Sequence, residues 1–151
     1  MVSRESCWCA ALALSAAIAA TAQATTAAGQ EPPAGGQAAP GAGRSVMDGV
    51  FTADQAVRGE QQFKQACTSC HTVDKMTGNR FRTKWGDGSV GEVFDFMSNA
   101  MPEGDPGSLM PEQYASIIAF FLRASGYPAG AQELSTDKAD LLKVRIVPLE
   151  K

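Results

Sequence analysis

The most restrictive feature of this chain is a short run in which two cysteines are followed at once by a histidine, Cys67-Thr68-Ser69-Cys70-His71. Two thiols three residues apart on one helical turn can bond to the two vinyl groups along one edge of a haem. The adjacent histidine then projects beneath the iron as an axial ligand. Because Cys-x-x-Cys-His is the attachment signature of a c-type haem, the sequence predicts one covalent haem c on Cys67, Cys70 and His71.

Zinc, a redox disulfide and a structural disulfide are the alternatives for this cysteine pair. A zinc site normally needs four nitrogen, sulfur or oxygen ligands. The chain has one histidine and, apart from Cys7 and Cys9 near its start, no further cysteine. A thioredoxin-like pair would lie near a βαβ pattern, and the sequence shows no convincing parallel strands. Haem attachment is therefore the favoured interpretation.

The first 24 residues have the pattern of an export signal. An apolar run from about Cys7 to Ala20 is followed by small residues that permit cleavage after Ala24. About 14 apolar residues are too few to span a bilayer comfortably, although an uncleaved anchor remains the alternative. Export predicts a bacterial periplasmic location, and Cys7 and Cys9 would leave with the signal.

The rest of the chain divides into a tether and one small domain. Residues 25–44 are rich in Ala, Gly and Pro and lack periodicity, which predicts a disordered tether. Residues 45–151 then form a domain of 107 residues, which is small for a self-sufficient core. The formal net charge of −3 shows no basic excess and argues against a nucleic-acid binder. We also expect no stable membrane insertion after signal cleavage.

The domain is predicted to be a string of helices, so its expected fold class is all-α. The first helix should run from about Ala53 to Cys67, because Thr52 can cap it and Gln55 completes a capping-box pattern. Gly59 lowers the helix propensity, and close approach of another helix would explain it.

Caps, prolines and apolar stripes indicate the later elements. Ser89 and Glu92 form a second capping box, and Pro111 suits the first position of a helix. The expected elements are a glycine-containing loop from His71 to Gly88, a helix from Ser89 to about Asn99–Met101, a loop over Glu103–Leu109, a helix from Pro111 to Gly126, a short helix over Thr136–Lys143 and an extended tail over Val144–Val147. Two stripes at helical spacing are expected to be buried: Val90, Val93, Phe94 and Met97, and Tyr114, Ile117, Ile118, Phe121 and Leu122.

A single histidine excludes bis-histidine ligation, so the sixth ligand is methionine, another weaker donor, water or nothing. The candidate methionines are Met47, Met76, Met97, Met101 and Met110. Met97 is better explained as core. Met101 precedes Pro102 in a loop free to bend over the haem. Met110 is the runner-up, because a methionine offers no capping oxygen at the start of a helix.

Four motifs resemble class I cytochrome c: Cys67–His71, Gly59-x-x-x-Phe63, Met101-Pro102 and Ala119-Phe120-Phe121-Leu122. The resemblance covers about Gly59–Ser125, and the haem signature and final helix are its specific parts. It implies a cytochrome c fold in which the first and last helices cross, with Gly59 touching the Phe120-Phe121 pair. It also implies that Met101 is the sixth ligand, since Met110 lies too close to the final helix.

A narrower resemblance is to bacterial periplasmic monohaem cytochromes that occur with quinoprotein (pyrroloquinoline-quinone) dehydrogenases. It rests on two blocks, Met101–Leu109 and Gly126–Leu134, with Tyr114 and Ile118 between them. Those relatives typically have serine where this chain has Met110.

A second departure concerns the residues that follow the haem signature. The family usually has a Gly-Pro pair there, whose carbonyl accepts the proximal histidine N–H, but this chain has no proline between His71 and Pro102. Another carbonyl, near Gly78, is expected to orient the imidazole and raise its basicity.

Several residues of the same segment are candidates for supporting roles at the haem. Trp85 is expected either to pack on the haem edge and hydrogen-bond a propionate or to pack in the core. Arg80, Arg82 and Lys84 would offset the charge of the propionates or form a solvated basic face.

The predicted function is that of an electron carrier and not an enzyme. Methionine opposite histidine raises the reduction potential and suits reversible electron transfer. We expect a periplasmic protein that takes electrons from a dehydrogenase or quinol-oxidising complex and delivers them to a terminal oxidase through small, weak encounters, as a monomer or a loosely associated protein. The alternatives are a dedicated subunit of a quinoprotein alcohol dehydrogenase and a haem sensor or enzyme with an open iron site.

Overall fold

The computed structural model describes residues 43–149. The predicted signal, the two cysteines within it and almost all of the predicted tether lie outside the described residues. The helices are a 3-10 turn over Val46–Asp48 followed by α1 (Ala53–Ala66), α2 (Val73–Met76), α3 (Gly78–Trp85), α4 (Val90–Ala100), α5 (Pro111–Ala124) and α6 (Lys138–Leu141). This part of the chain contains no strand, only isolated bridges, so the all-α class is confirmed. None of its helices is long and apolar enough to cross a membrane.

Helices α1 and α5 cross in close contact at Gly59, which confirms the expected reason for a glycine there. A Cβ at Gly59 would lie 1.7 Å from the carbonyl oxygen of Ser116. The nearest atoms of α5 belong to the backbone of Ser116 and Ile117, about one turn before the Phe120-Phe121 pair, and contact of Gly59 with that pair stays a prediction. Those two aromatic residues pack on Phe63, with ring centroids 5.7 and 5.5 Å from its own.

The start of α1 has one of the two hydrogen bonds expected of a capping box, the one accepted by the Thr52 side chain. The Gln55 amide donates to the Thr52 hydroxyl over 3.1 Å. The Gln55 side chain does not complete the capping box, because it is buried and bonds the backbone of Leu134 in both directions, at 3.1 and 2.7 Å. It thereby satisfies a buried N–H and a buried C=O in the segment that follows α5.

The segment after His71 is helical, and the prediction of a loop there is wrong. Two short helices, α2 and α3, meet at Gly78, whose φ of +64° permits the break between them. The Gly78 N–H donates to the hydroxyl of Ser125 at the end of α5 over 2.9 Å. Phe81 is the one buried residue of α3 and lies 6.4 Å from Phe121, centroid to centroid. Tertiary contacts with α5 thus hold helices that have almost no apolar stripe of their own.

Helices α4 and α5 follow the sequence pattern closely. Ser89 and Glu92 form the expected capping box at the start of α4, with the Ser89 N–H bonded to the Glu92 carboxylate at 2.6 Å. All nine residues of the two predicted stripes are buried. Gly126 ends α5 with a φ of +96°, as expected for a helix stop.

The last part of the domain folds back on the start of the described chain. The short helix α6 is shorter than predicted but lies within the expected range. Arg145 then bridges Ser45 and Ser89 through backbone pairing, and Val144 and Ile146 are buried. The expected packing of the tail against the domain is confirmed.

Candidate functional site

One cavity is lined by all five residues that the sequence analysis favours as haem-binding residues. It has a volume of about 550 Å³, and Cys67, Cys70, His71, Trp85 and Met101 line it. That volume falls in the range of roughly 300–1,000 Å³ common for cofactor and ligand pockets. Its walls also include apolar side chains from four helices: Phe63, Phe81, Val93, Met97 and Phe121.

The two cysteines and the histidine follow directly from the end of α1. The Cys67 amide donates to the Phe63 carbonyl over 2.9 Å, and the Cys70 and His71 amides both donate to the Cys67 carbonyl, over 3.1 and 2.9 Å. This turn places all three side chains along one side of the cavity. Both thiols are free. Partial burial raises the pKa of the Cys67 thiol, which keeps it protonated at neutral pH.

Three methionines reach the cavity and two do not. Met76, Met97 and Met101 line it, from α2, from α4 and from the residue that ends α4. Met110 lies at the N-terminus of α5 with 63% of its surface exposed, and Met47 is also exposed. The Met110 side chain makes no capping bond; the Gln113 side chain instead accepts a hydrogen bond from the Met110 N–H over 2.9 Å. The runner-up candidate is therefore turned to solvent, whereas Met76, Met97 and Met101 all stay at the cavity.

Trp85 lies at the cavity beside a second aromatic residue that the sequence pattern did not indicate. The Trp85 and Phe96 ring centroids are 5.7 Å apart. The Lys84 ammonium lies over both rings, 4.9 Å from the Trp85 centroid and 4.4 Å from that of Phe96. Cation–π attraction of this kind fixes the orientation of the rings at the rim.

The charged groups of the lining are mainly cationic. Lys75, Arg80 and Lys84 line the cavity together with one acidic residue, Glu103. Arg82 does not join them, contrary to the expectation, because its guanidinium donates to the Ser125 carbonyl over 2.5 Å. The cavity therefore favours a ligand with negative groups at its edge.

An ionised carboxylate accompanies these cations on α2. The pKa of Asp74 lies below its usual value, chiefly because of a hydrogen bond from the Thr72 side chain. The charges of Arg80 and Lys75 lower it further. Among residues 43–149 no group of three or more His, Cys, Asp or Glu side chains converges, so this part of the chain offers no cluster for the zinc alternative.

Sequence reasoning missed three residues at or next to the site. Lys75 belongs to a helix that was predicted to be loop, and Phe96 lies on α4 outside the buried stripe, with 41% of its surface exposed. Tyr114 was read as core alone, but its hydroxyl bonds the Met101 carbonyl over 2.7 Å. Helical periodicity cannot reveal such contacts, because they depend on how separate helices meet. The carbonyl that orients His71 stays a prediction.

A comparison with family models gives one match. Residues 54–121, a little under half of the chain, match the model described as cytochrome C oxidase, cbb3-type, subunit III. Comparisons with curated proteins and with solved structures found no match. The family match supports a class I c-type cytochrome, an electron-transfer domain with a cytochrome c fold and a covalently bound haem c.

The residues of the cavity fit that group. A haem c needs two thiols on one turn, an adjacent imidazole, a largely apolar pocket and partners for two propionates. The cavity offers Cys67, Cys70 and His71 on one side, apolar side chains on its walls and three cations. The matched region includes all but the first residue of α1 and most of α5, and it contains every cysteine, histidine and methionine that lines the cavity.

Proposed function

We propose that this protein is a periplasmic electron carrier with one haem c attached through Cys67 and Cys70 and ligated by His71 and Met101. The observation that carries the proposal is that all four side chains line one largely apolar cavity. Their chemistry is complementary, since two thiols supply covalent anchors and an imidazole and a thioether supply two axial donors.

The haem iron supplies reversible one-electron oxidation and reduction, and a histidine–methionine pair of ligands raises its potential. The chain's own residues bind and shield the group. Cys67 and Cys70 would form the thioether bonds from the turn after α1, and the hydrogen bond from the His71 N–H to the Cys67 carbonyl fixes the histidine backbone next to them. Met101, which caps the end of α4 and lines the same cavity, would supply the thioether ligand.

The cationic rim has a second task in this proposal. Arg80, Lys84 and Lys75 offset the charge of the propionates, which would otherwise be costly to hold beside an apolar cavity. Trp85 packs along the haem edge and is held there by Phe96 and Lys84.

Electrons leave and enter where the rim is open. Cys70 is exposed while Cys67 is partly buried, which supports a haem edge accessible near Cys70. A carrier that docks there with a small interface dissociates quickly. The donor in this proposal is a dehydrogenase or quinol-oxidising complex, and the acceptor is a terminal oxidase. The name of the matched family, an oxidase subunit, supports a role near the oxidase end.

Two alternatives remain testable against this carrier. A dedicated subunit of a quinoprotein alcohol dehydrogenase would co-purify with that enzyme from cells that express both. A sensor or enzyme would need an open iron position, which the Met101 and Met97 side chains in the cavity do not favour. Export through residues 1–24, with residues 25–44 as a tether, completes the proposal and accounts for a periplasmic location.

The attachment can be tested by the intact mass of the protein expressed with a haem-attachment system. We expect a mass increase of one haem and a one-electron, reversible redox titration. Cys67→Ser and Cys70→Ser should each lose one thioether bond, so that the haem is held by one cysteine or lost on denaturation. Ser69→Ala, a change between the two cysteines, should keep both bonds. An unmodified mass in the wild-type protein would overturn the proposal.

A further inference from the structure

We propose that Tyr114 is a positioning residue that holds the Met101 ligand on the iron. This inference rests on the proposed ligation by Met101 and adds the element that keeps the ligand in place. The Tyr114 hydroxyl donates to the Met101 carbonyl over 2.7 Å. Tyr114 lies on α5 and Met101 is the residue that caps the end of α4, 13 residues earlier in the chain.

Both polar groups of the Met101 backbone are hydrogen-bonded, although the loop that follows is exposed to solvent. Its amide donates to the Met97 carbonyl over 2.9 Å, and its carbonyl also receives the Gly107 N–H over 3.4 Å. Every residue of Glu103–Ser108 is exposed. The shorter and stronger of the two bonds to the carbonyl therefore comes from Tyr114 and not from the exposed surface turn.

Tyr114 is itself held rigidly. Only 2% of its surface is exposed, and its ring meets Phe94 edge-on with centroids 6.1 Å apart. Two residues further along α5, Ser116 makes the backbone contact with Gly59 of α1. Helix α1 leads directly into Cys67. A single rigid path thus connects the thiol side of the cavity with Met101, and the Tyr114 hydroxyl is its last link.

The consequence is a bias toward the bound state of the methionine. A thioether is a weak donor that competes with external ligands, so its occupancy depends on how little freedom the chain has to swing it away. Loss of one buried hydrogen bond to the Met101 carbonyl should shift the bound–free equilibrium by about three- to tenfold toward the free state.

The test is the affinity of the ferric holoprotein for imidazole, which binds the iron only when the methionine has left. Tyr114→Phe removes the hydroxyl and keeps the ring against Phe94. We expect its dissociation constant for imidazole to be lower than that of the wild type by about three- to tenfold. Its methionine absorption band at the red end of the ferric spectrum should also disappear at a lower temperature.

Tyr127→Phe is the matched control. Tyr127 is equally buried, with 3% of its surface exposed, and its hydroxyl bonds the Val147 carbonyl over 2.8 Å, but it does not line the cavity. This variant loses the same kind of bond, so it should lose similar global stability and bind imidazole within twofold of the wild type. Equal affinities in the wild type and Tyr114→Phe, or equal changes in both variants, would overturn the inference.

The result also separates this inference from the ligand assignment. If the band persists in Met101→Leu, the assignment itself fails. If Met101→Leu loses the band but Tyr114→Phe behaves as the wild type, Met101 is the ligand and only the role of Tyr114 is wrong.

Discussion

Gly59 is the residue on which the crossing of α1 and α5 depends, and Gly59→Ala is the smallest change that tests it. The added methyl carbon would lie 1.7 Å from the Ser116 carbonyl oxygen, 2.3 Å from its carbon and 2.9 Å from the Ile117 nitrogen. All three atoms belong to the backbone of α5, so no side-chain rotation can relieve the contact. Ordinary contact begins at 3.4 Å, and the helices must therefore separate by more than an ångström.

The cost follows from what this separation disturbs. Overpacking at a rigid contact costs about 1–3 kcal/mol and occasionally more. The Phe63 ring, 5.7 and 5.5 Å from its two partners on α5, loses part of its aromatic packing, which adds about 1 kcal/mol. Alanine regains at most about 1 kcal/mol of helix propensity. The last two terms roughly cancel, so we expect Gly59→Ala to lower the free energy of unfolding by about 1–3 kcal/mol.

Denaturation of the holoprotein by guanidinium chloride, followed by far-ultraviolet circular dichroism, measures this difference. Gly104→Ala is the control, because a Cβ at Gly104 meets nothing within 4 Å, and its effect should stay within about 0.5 kcal/mol. A Gly59→Ala protein as stable as the wild type would refute the crossing as described.

Two further predictions concern charged groups. Chiefly the hydrogen bond and charge of Lys64, and then Arg123, lower the pKa of Glu60, so Glu60→Gln should be slightly less stable than the wild type at neutral pH. A carboxyl whose pKa is lower in the folded protein stabilises it above the unfolded-state pKa, and this contribution is lost as the pH falls through the folded-state pKa. The stability difference between wild type and Glu60→Gln should therefore shrink below about pH 4.5, the ordinary pKa of a glutamate. A difference unchanged down to pH 3 would contradict the pairing. Lys84→Glu at the cavity rim should slow reduction by an anionic reductant severalfold at low ionic strength, and salt should erase the difference. Lys143→Glu, the same charge change outside the cavity lining, should have a much smaller effect, and equal effects would show that net charge alone is responsible.

The helices that the sequence predicted are those whose signals are local. Helix α4 begins with a reciprocal capping box, α5 begins with a proline, and both have an apolar stripe at helical spacing. Helices α2 and α3 lack such signals. One buried residue, Phe81, and a bond from Gly78 to Ser125 hold them in place, and neither can be read from the segment itself.

The same distinction applies to the site. Cys67, Cys70 and His71 are adjacent in the chain, so one motif identifies them. The choice among methionines depends on tertiary structure: Met110 is turned to solvent, whereas Met76, Met97 and Met101 line the same cavity. Periodicity favoured Met97 as core, and it is 8% exposed as expected. The hydrogen bond from Tyr114 to Met101 could not be predicted from the sequence, because the apolar stripe of α5 already accounted for Tyr114 as a buried residue.

The central claim, one haem c between His71 and Met101, is tested most directly by the ferric absorption spectrum of three methionine variants. The wild-type holoprotein should show the band at the red end of the spectrum that is typical of methionine bound to ferric haem. Met97→Leu, at the same cavity, and Met110→Leu, on the surface, are the matched controls and should keep the band, whereas Met101→Leu should lose it. A band that survives in Met101→Leu would contradict the account.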